Sequence, residues 1–119
     1  TYNTYIEELG LERMGHMIIE SILDVGNLII DGFIMRDPGS YEDIIDILID
    51  EQVLPENEGN QYKQIIGLRK MLVKDYLNIN HGFVLKTIQE NYTCLSLFSE
   101  RVRSFLDSEQ DVATTFTNS

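Results

Sequence analysis

The sequence predicts an all-α, up-and-down bundle of four to five helices, and three observations lead there. Apolar residues recur at three- and four-residue spacing through four long stretches. Proline- and glycine-containing clusters fall between those stretches. Convincing strand alternation is absent from the 119 residues, and no internal repeat is visible.

The first helix is expected from about Ile6 to Ile34, with Gly10 a possible break, and Arg36-Asp37-Pro38-Gly39 ends it. Ser40 is suited to cap the second helix, about Tyr41 to Glu51, with Asp43 three residues on. That helix offers Ile44, Ile45, Ile47 and Leu48 to the core. Pro55 fits the first turn of a third helix, with Glu56 and Glu58 near its positive end, running on to about Leu77. Asn78-Ile79-Asn80-His81-Gly82 is the last turn signal, and a fourth helix follows over about Phe83 to Leu106. Residues 1–107 then form the helical domain, and 108–119 read as a disordered polar tail.

A 119-residue chain that is 43% hydrophobic makes one domain with a modest core. It lies near the size where a helical domain often completes its burial by pairing with a copy of itself. The formal charge of −11 opposes nonspecific adhesion to nucleic acid or anionic lipid. An RNA contact must therefore be local and sensitive to salt. Cys94 is the single cysteine, so an intrachain disulfide is excluded, and it reads as a small hydrophobe. With no signal peptide and no apolar run of spanning length, the expectation is a cytoplasmic protein without a membrane contact. The chain begins at Thr1 without a methionine, which suggests a missing N-terminal piece.

Charge is unevenly spread. Residues 1–58 carry fourteen acids and two bases, whereas 59–119 carry six acids and seven bases. From Gly59 to Lys74 there is no acid, and Arg69, Lys70 and Lys74 form a basic island followed by Tyr76. Such clustering builds either a site for an anion or an ion-paired interface. Arg69 suits bidentate phosphate binding and Lys74 a point-charge contact, while Tyr76 offers a phenol that could be modified. On a straight helix Arg69 and Tyr76 share a face, whereas Arg69 and Lys74 lie about 140° apart. Convergence then calls for a second copy across a two-fold axis, or for a ligand that wraps the helix. The other reading has Arg69, Lys70 and Lys74 neutralising Glu20, Asp24 and Asp31.

Those acids belong to a polar stripe on the first helix, made of Arg13, His16, Glu20, Asp24, Asn27 and Asp31, within roughly an 80° arc. Most of the remaining circumference is apolar, so this helix should be central. The stripe is either a solvated edge or the wall of a polar cleft opposite the basic segment. No second histidine lies at ligand spacing from His16, so a metal site is not expected. His81 reads as a polar turn residue.

The runs Ser40-Tyr41-Glu42-Asp43-Ile44-Ile45-Asp46-Ile47-Leu48, Val53-Leu54 and Leu68-Arg69-Lys70-Met71-Leu72-Val73-Lys74-Asp75-Tyr76 resemble the HepT-like branch of the HEPN superfamily. Within it the chain is most similar to small bacterial YutE-type proteins, which share a stretch like Asp31-Gly32-Phe33-Ile34-Met35-Arg36-Asp37-Pro38-Gly39-Ser40. The resemblance covers roughly residues 10–106 and implies a dimeric four- or five-helix bundle whose first helix is largely missing here. It also implies a metal-independent, cofactor-free ribonuclease motif of Arg, four residues, His, one residue, Tyr. Arg69 and Tyr76 match that motif, while Lys70 replaces the Asn that usually follows the Arg and Lys74 replaces the His. The family toxins are neutralised by a nucleotidyltransferase antitoxin that transfers AMP to the tyrosine, here Tyr76. An exposed lysine near pKa 10.4 is a poor base at neutral pH. Three functions remain open: a non-catalytic dimeric anion-, nucleotide- or partner-binding module with a degenerate site, a surviving ribonuclease toxin regulated at Tyr76, or a structural or adaptor module whose basic residues only satisfy internal acids.

Overall fold

The computed structural model describes residues 1–117, and every regular element among them is helical. Helix α1 runs unbroken over Tyr2–Gly32, so Gly10 does not interrupt it. It is capped by Thr1, whose Oγ1 accepts from the Thr4 N–H at 3.2 Å. At its other end the Met35 N–H reaches back to the Ile30 carbonyl and the Ile34 N–H to Asp31. This is the glycine-favouring termination of a helix, here with Ile34 in the left-handed region at φ 54°.

Helix α2, Tyr41–Asp50, starts as expected, with Ser40 Oγ accepting from the Asp43 N–H at 3.1 Å. The loop before it is fastened by Arg36, which grips Asp43 with two nitrogens at 2.6 and 2.8 Å. The Gly39 N–H donates to the same carboxylate at 2.8 Å. These donors hold the Asp43 carboxyl well below the usual carboxylate range, chiefly through the Arg36 hydrogen bonds.

Beyond α2 the structure departs from the expected long helices. Pro55 stays extended, and a 3-10 turn over Glu56–Glu58 leads into α3, Gly59–Arg69. The helical path then widens into a π turn at Lys70–Lys74 and resumes as a 3-10 turn at Tyr76–Asn78. The stretch expected to be one rod is thus four pieces. Helix α4, His81–Glu90, and helix α5, Tyr92–Thr117, divide at Asn91. The cause is local: the buried Asn91 amide donates to the Thr87 carbonyl at 2.8 Å and to Gln64 at 3.1 Å, competing with helical pairing. The backbone stays helical past Asp107 to Thr117, where the sequence marks a polar tail, and Asn118 and Ser119 lie outside the described residues.

Helix α1 is central, touching α2, α3, α4 and the π turn. Its close neighbours depend on glycines. A Cβ on Gly26 would meet Ile44 Cγ2 at 2.7 Å, so α2 can lie against α1 only because no side chain is there. The core joins Ile19, Leu23 and Ile30 of α1 to Ile45 and Leu48 of α2, Tyr62 and Ile65 of α3, and Val84 of α4. One flank of α1 stays open, with Met14 and Met17 about half exposed along a groove of about 610 Å³ beside Phe98. Among the described residues no helix is long and apolar enough to cross a membrane.

Candidate functional site

The basic island sits where α3 loses its α-helical register. The Asp75 N–H donates to the Lys70 carbonyl at 3.1 Å, a five-residue spacing instead of four. The inner face of this turn is pressed on α1 at Gly15, where a Cβ would lie 3.2 Å from Leu72 Cδ1. Single π turns of this kind recur at functional sites. Here the wider turn brings residues five apart towards one face. Lys70–Lys74 therefore departs from the straight α-helix on which the angle between Arg69 and Lys74 is reckoned. Tyr76 follows the opposite correction: the backbone bends at Asp75 (φ −109°, ψ 37°), so helical spacing no longer aligns Tyr76 with Arg69.

Arg69 is held from two sides. Its Nε donates to Glu20 Oε1 at 3.1 Å, and its guanidinium carbon lies 4.3 Å from the centre of the Tyr41 ring. The terminal guanidinium nitrogens find no hydrogen-bond partner among the described residues, and the side chain remains 22% exposed. Lys70 and Lys74 are exposed, and among the described residues neither has a carboxylate partner. Full neutralisation by Glu20, Asp24 and Asp31 is thus not what the fold does. Of these three acids only Glu20 engages the island among the described residues, and Asp24 and Asp31 face solvent. Tyr76 is 63% exposed.

The polar stripe of α1 accordingly has two characters. Arg13, Asp24, Asn27 and Asp31 form a solvated edge, whereas His16 and Glu20 are partly covered. His81 is the first residue of α4 and not a loop residue, with Asn80 as cap accepting from the Phe83 N–H at 3.0 Å. Its Nε2 lies 3.0 Å from Glu12 Oε2 and its Nδ1 3.9 Å from Glu8 Oε2. Among the described residues no group of three or more His, Cys, Asp or Glu is placed to hold a metal ion.

Sequence reasoning missed a second polar centre, at the start of α3. Glu58, expected near the positive end of the third helix, is only 7% exposed. Its carboxylate accepts from Arg101 at 2.6 Å, and Tyr62 Oη donates to it at 3.4 Å and to the Cys94 carbonyl at 3.0 Å. Burial, then the bond to Cys94, drives the Tyr62 phenol far above its ordinary value, and burial also raises the Cys94 thiol. The cluster fastens α5 to α3. Arg101 lies 43 residues from Glu58, and no local pattern in the sequence signals the pairing.

A five-helix bundle with an Arg–Lys–Tyr segment at the end of its third helix is a HepT-like bundle, and the chain belongs to that family. The model of the family described as "Ribonuclease HepT-like" matches residues 2–102. A Bacillus subtilis (strain 168) relative named "Putative RNase YutE" is 51% identical over 108 residues, 91% of this chain and 75% of the relative. The solved structure described as "Structure of Cytosolic Protein of Unknown Function YutE from Bacillus subtilis" matches with a TM-score of 0.88 at 50% identity. That match covers 92% of this chain and 76% of the other.

Proposed function

We propose that this chain binds single-stranded RNA through its phosphates at Arg69, Lys70 and Lys74, with Tyr76 alongside, and does so as a homodimer. The observation that carries this reading is the posture of Arg69. Glu20 and Tyr41 fix the guanidinium and leave its terminal nitrogens unpaired, an arrangement suited to a phosphate fork. Two lysines that have no carboxylate partner among the described residues add charge beside it, and an exposed tyrosine offers a face on which a base can stack. Lys74 stands where the family motif has histidine, so the segment alone supplies charge and no imidazole. Dimerisation is supported by Leu77, 84% exposed, and by Val73 and Tyr76 around the same turn. An apolar cluster beside a charged site favours burial against a second copy.

The test is fluorescence anisotropy of a labelled single-stranded RNA across a salt series. Arg69→Ala should weaken binding about tenfold or more. Lys74→Ala should flatten the logarithmic salt dependence by about 0.7. Affinity indifferent to both substitutions would reject the reading. Sedimentation should give a dimer, and Leu77→Glu should shift it towards monomer.

The 63% exposure of Tyr76 favours a second reading, a ribonuclease toxin silenced by AMP transfer to that phenol. It requires a nucleotidyltransferase partner. If such an enzyme is encoded beside this chain, mixing the two with ATP should adenylylate the wild type and leave Tyr76→Phe unmodified.

A further inference from the structure

We propose that His16 supplies the acid–base imidazole that the Arg69–Tyr76 segment lacks, which makes the site a slow ribonuclease; this rests on the RNA-binding reading above. The chain has two histidines. His81 is committed to Glu12 and Glu8 at the head of α4. His16 lies on α1 one helical turn from Glu20, the carboxylate that holds Arg69, and one turn from Glu12, the carboxylate that holds His81. Side chains four apart on a helix have Cβ atoms about 6 Å from each other, which puts His16 on the stripe of α1 one turn from the carboxylate that holds Arg69. Its neighbour Gly15 receives Leu72 from the π turn, which places the basic segment against this stretch of α1. His16 is partly exposed, and among the described residues no hydrogen bond or ion pair occupies it.

A phosphodiester held by Arg69 and Lys74 therefore lies over an unengaged imidazole. Neutral His16 takes the proton of the ribose 2′-hydroxyl, and the 2′-oxygen bonds to phosphorus. The bond from phosphorus to the 5′-oxygen breaks, and that oxygen takes a proton from the Lys74 ammonium. The products are a 2′,3′-cyclic phosphate and a 5′-hydroxyl end. His16 then returns its proton to water and Lys74 regains one. The carboxylates one turn either side of His16 are Glu12 and Glu20, of which Glu20 pairs with Arg69 at the end of α3 and Glu12 with His81 at the start of α4.

The experiment incubates the purified chain with a labelled single-stranded RNA, with RNA binding measured in parallel. Cleavage to cyclic-phosphate ends should be detected with no metal ion added. His16→Gln and His16→Ala should lower the rate by on the order of a hundredfold while RNA affinity and thermal unfolding stay unchanged. Added free imidazole should restore part of the His16→Ala rate, and His81→Gln should keep cleavage. Binding without cleavage, or cleavage untouched in both His16 variants, overturns the role of His16 and leaves the RNA-binding reading standing. Absence of RNA binding overturns both.

Discussion

The guanidinium of Arg69 lies 4.3 Å from the centre of the Tyr41 ring, so a residue of α3 is steadied by the first residue of α2. A cation over an aromatic face at a partly exposed site contributes about 0.5–1 kcal/mol. Tyr41→Leu should lower unfolding stability in urea by about that amount and weaken RNA binding. Tyr41→Phe, which keeps the face, should change neither. A loss of equal size in both variants would show that the phenol matters and the stack does not.

Acid sensitivity should concentrate at the α1–α2 loop. The Asp43 carboxyl is held below its ordinary value of 3.8 by Arg36 and the Gly39 N–H. Its folded-state value is depressed, so its stabilisation is complete above 3.8 and is lost as pH falls below that towards the folded value. Asp43→Asn should therefore lower the melting temperature at pH 7 and make melting less steeply dependent on pH below 4. Parallel pH curves for wild type and variant would contradict this.

The Glu58–Arg101 pair should be expensive to break from one side. Arg101→Ala leaves a 7% exposed carboxylate with the Tyr62 hydroxyl as its one side-chain donor among the described residues. The expected result is a lower midpoint in chemical denaturation. Adding Glu58→Gln to Arg101→Ala should recover part of the drop, because the uncompensated charge is gone. A double variant no more stable than Arg101→Ala would argue against a charge penalty.

Strain at Ile34 is open to a stabilising substitution. A β-branched residue at φ 54° is crowded against its own backbone, and at 92% exposure its side chain contributes little burial in return. Asn tolerates this conformation, so Ile34→Asn should raise stability by about 0.5–1 kcal/mol, read as an increase in melting temperature. A decrease would indicate that Ile34 is covered in the assembled protein.

The sequence by itself determined the all-helical class, the Ser40 cap on α2, the Arg36–Gly39 break and the gathering of cations after Gly59. These are local or compositional signals: a cap is read three residues away, and a periodic apolar face does not depend on what covers it. It also placed Arg69, Lys70, Lys74 and Tyr76 in one segment through family resemblance. Only the tertiary structure decided how that segment is shaped. The widening after Arg69 coincides with Leu72 pressing on Gly15 of a helix more than fifty residues away, and helical spacing carries no trace of that contact. Partner choice was decided the same way. Periodicity states which face of a helix is wet but not the phase of one helix against another. Hence Glu20, rather than Asp24 or Asp31, meets Arg69, and Glu58 is buried under Arg101 instead of facing water.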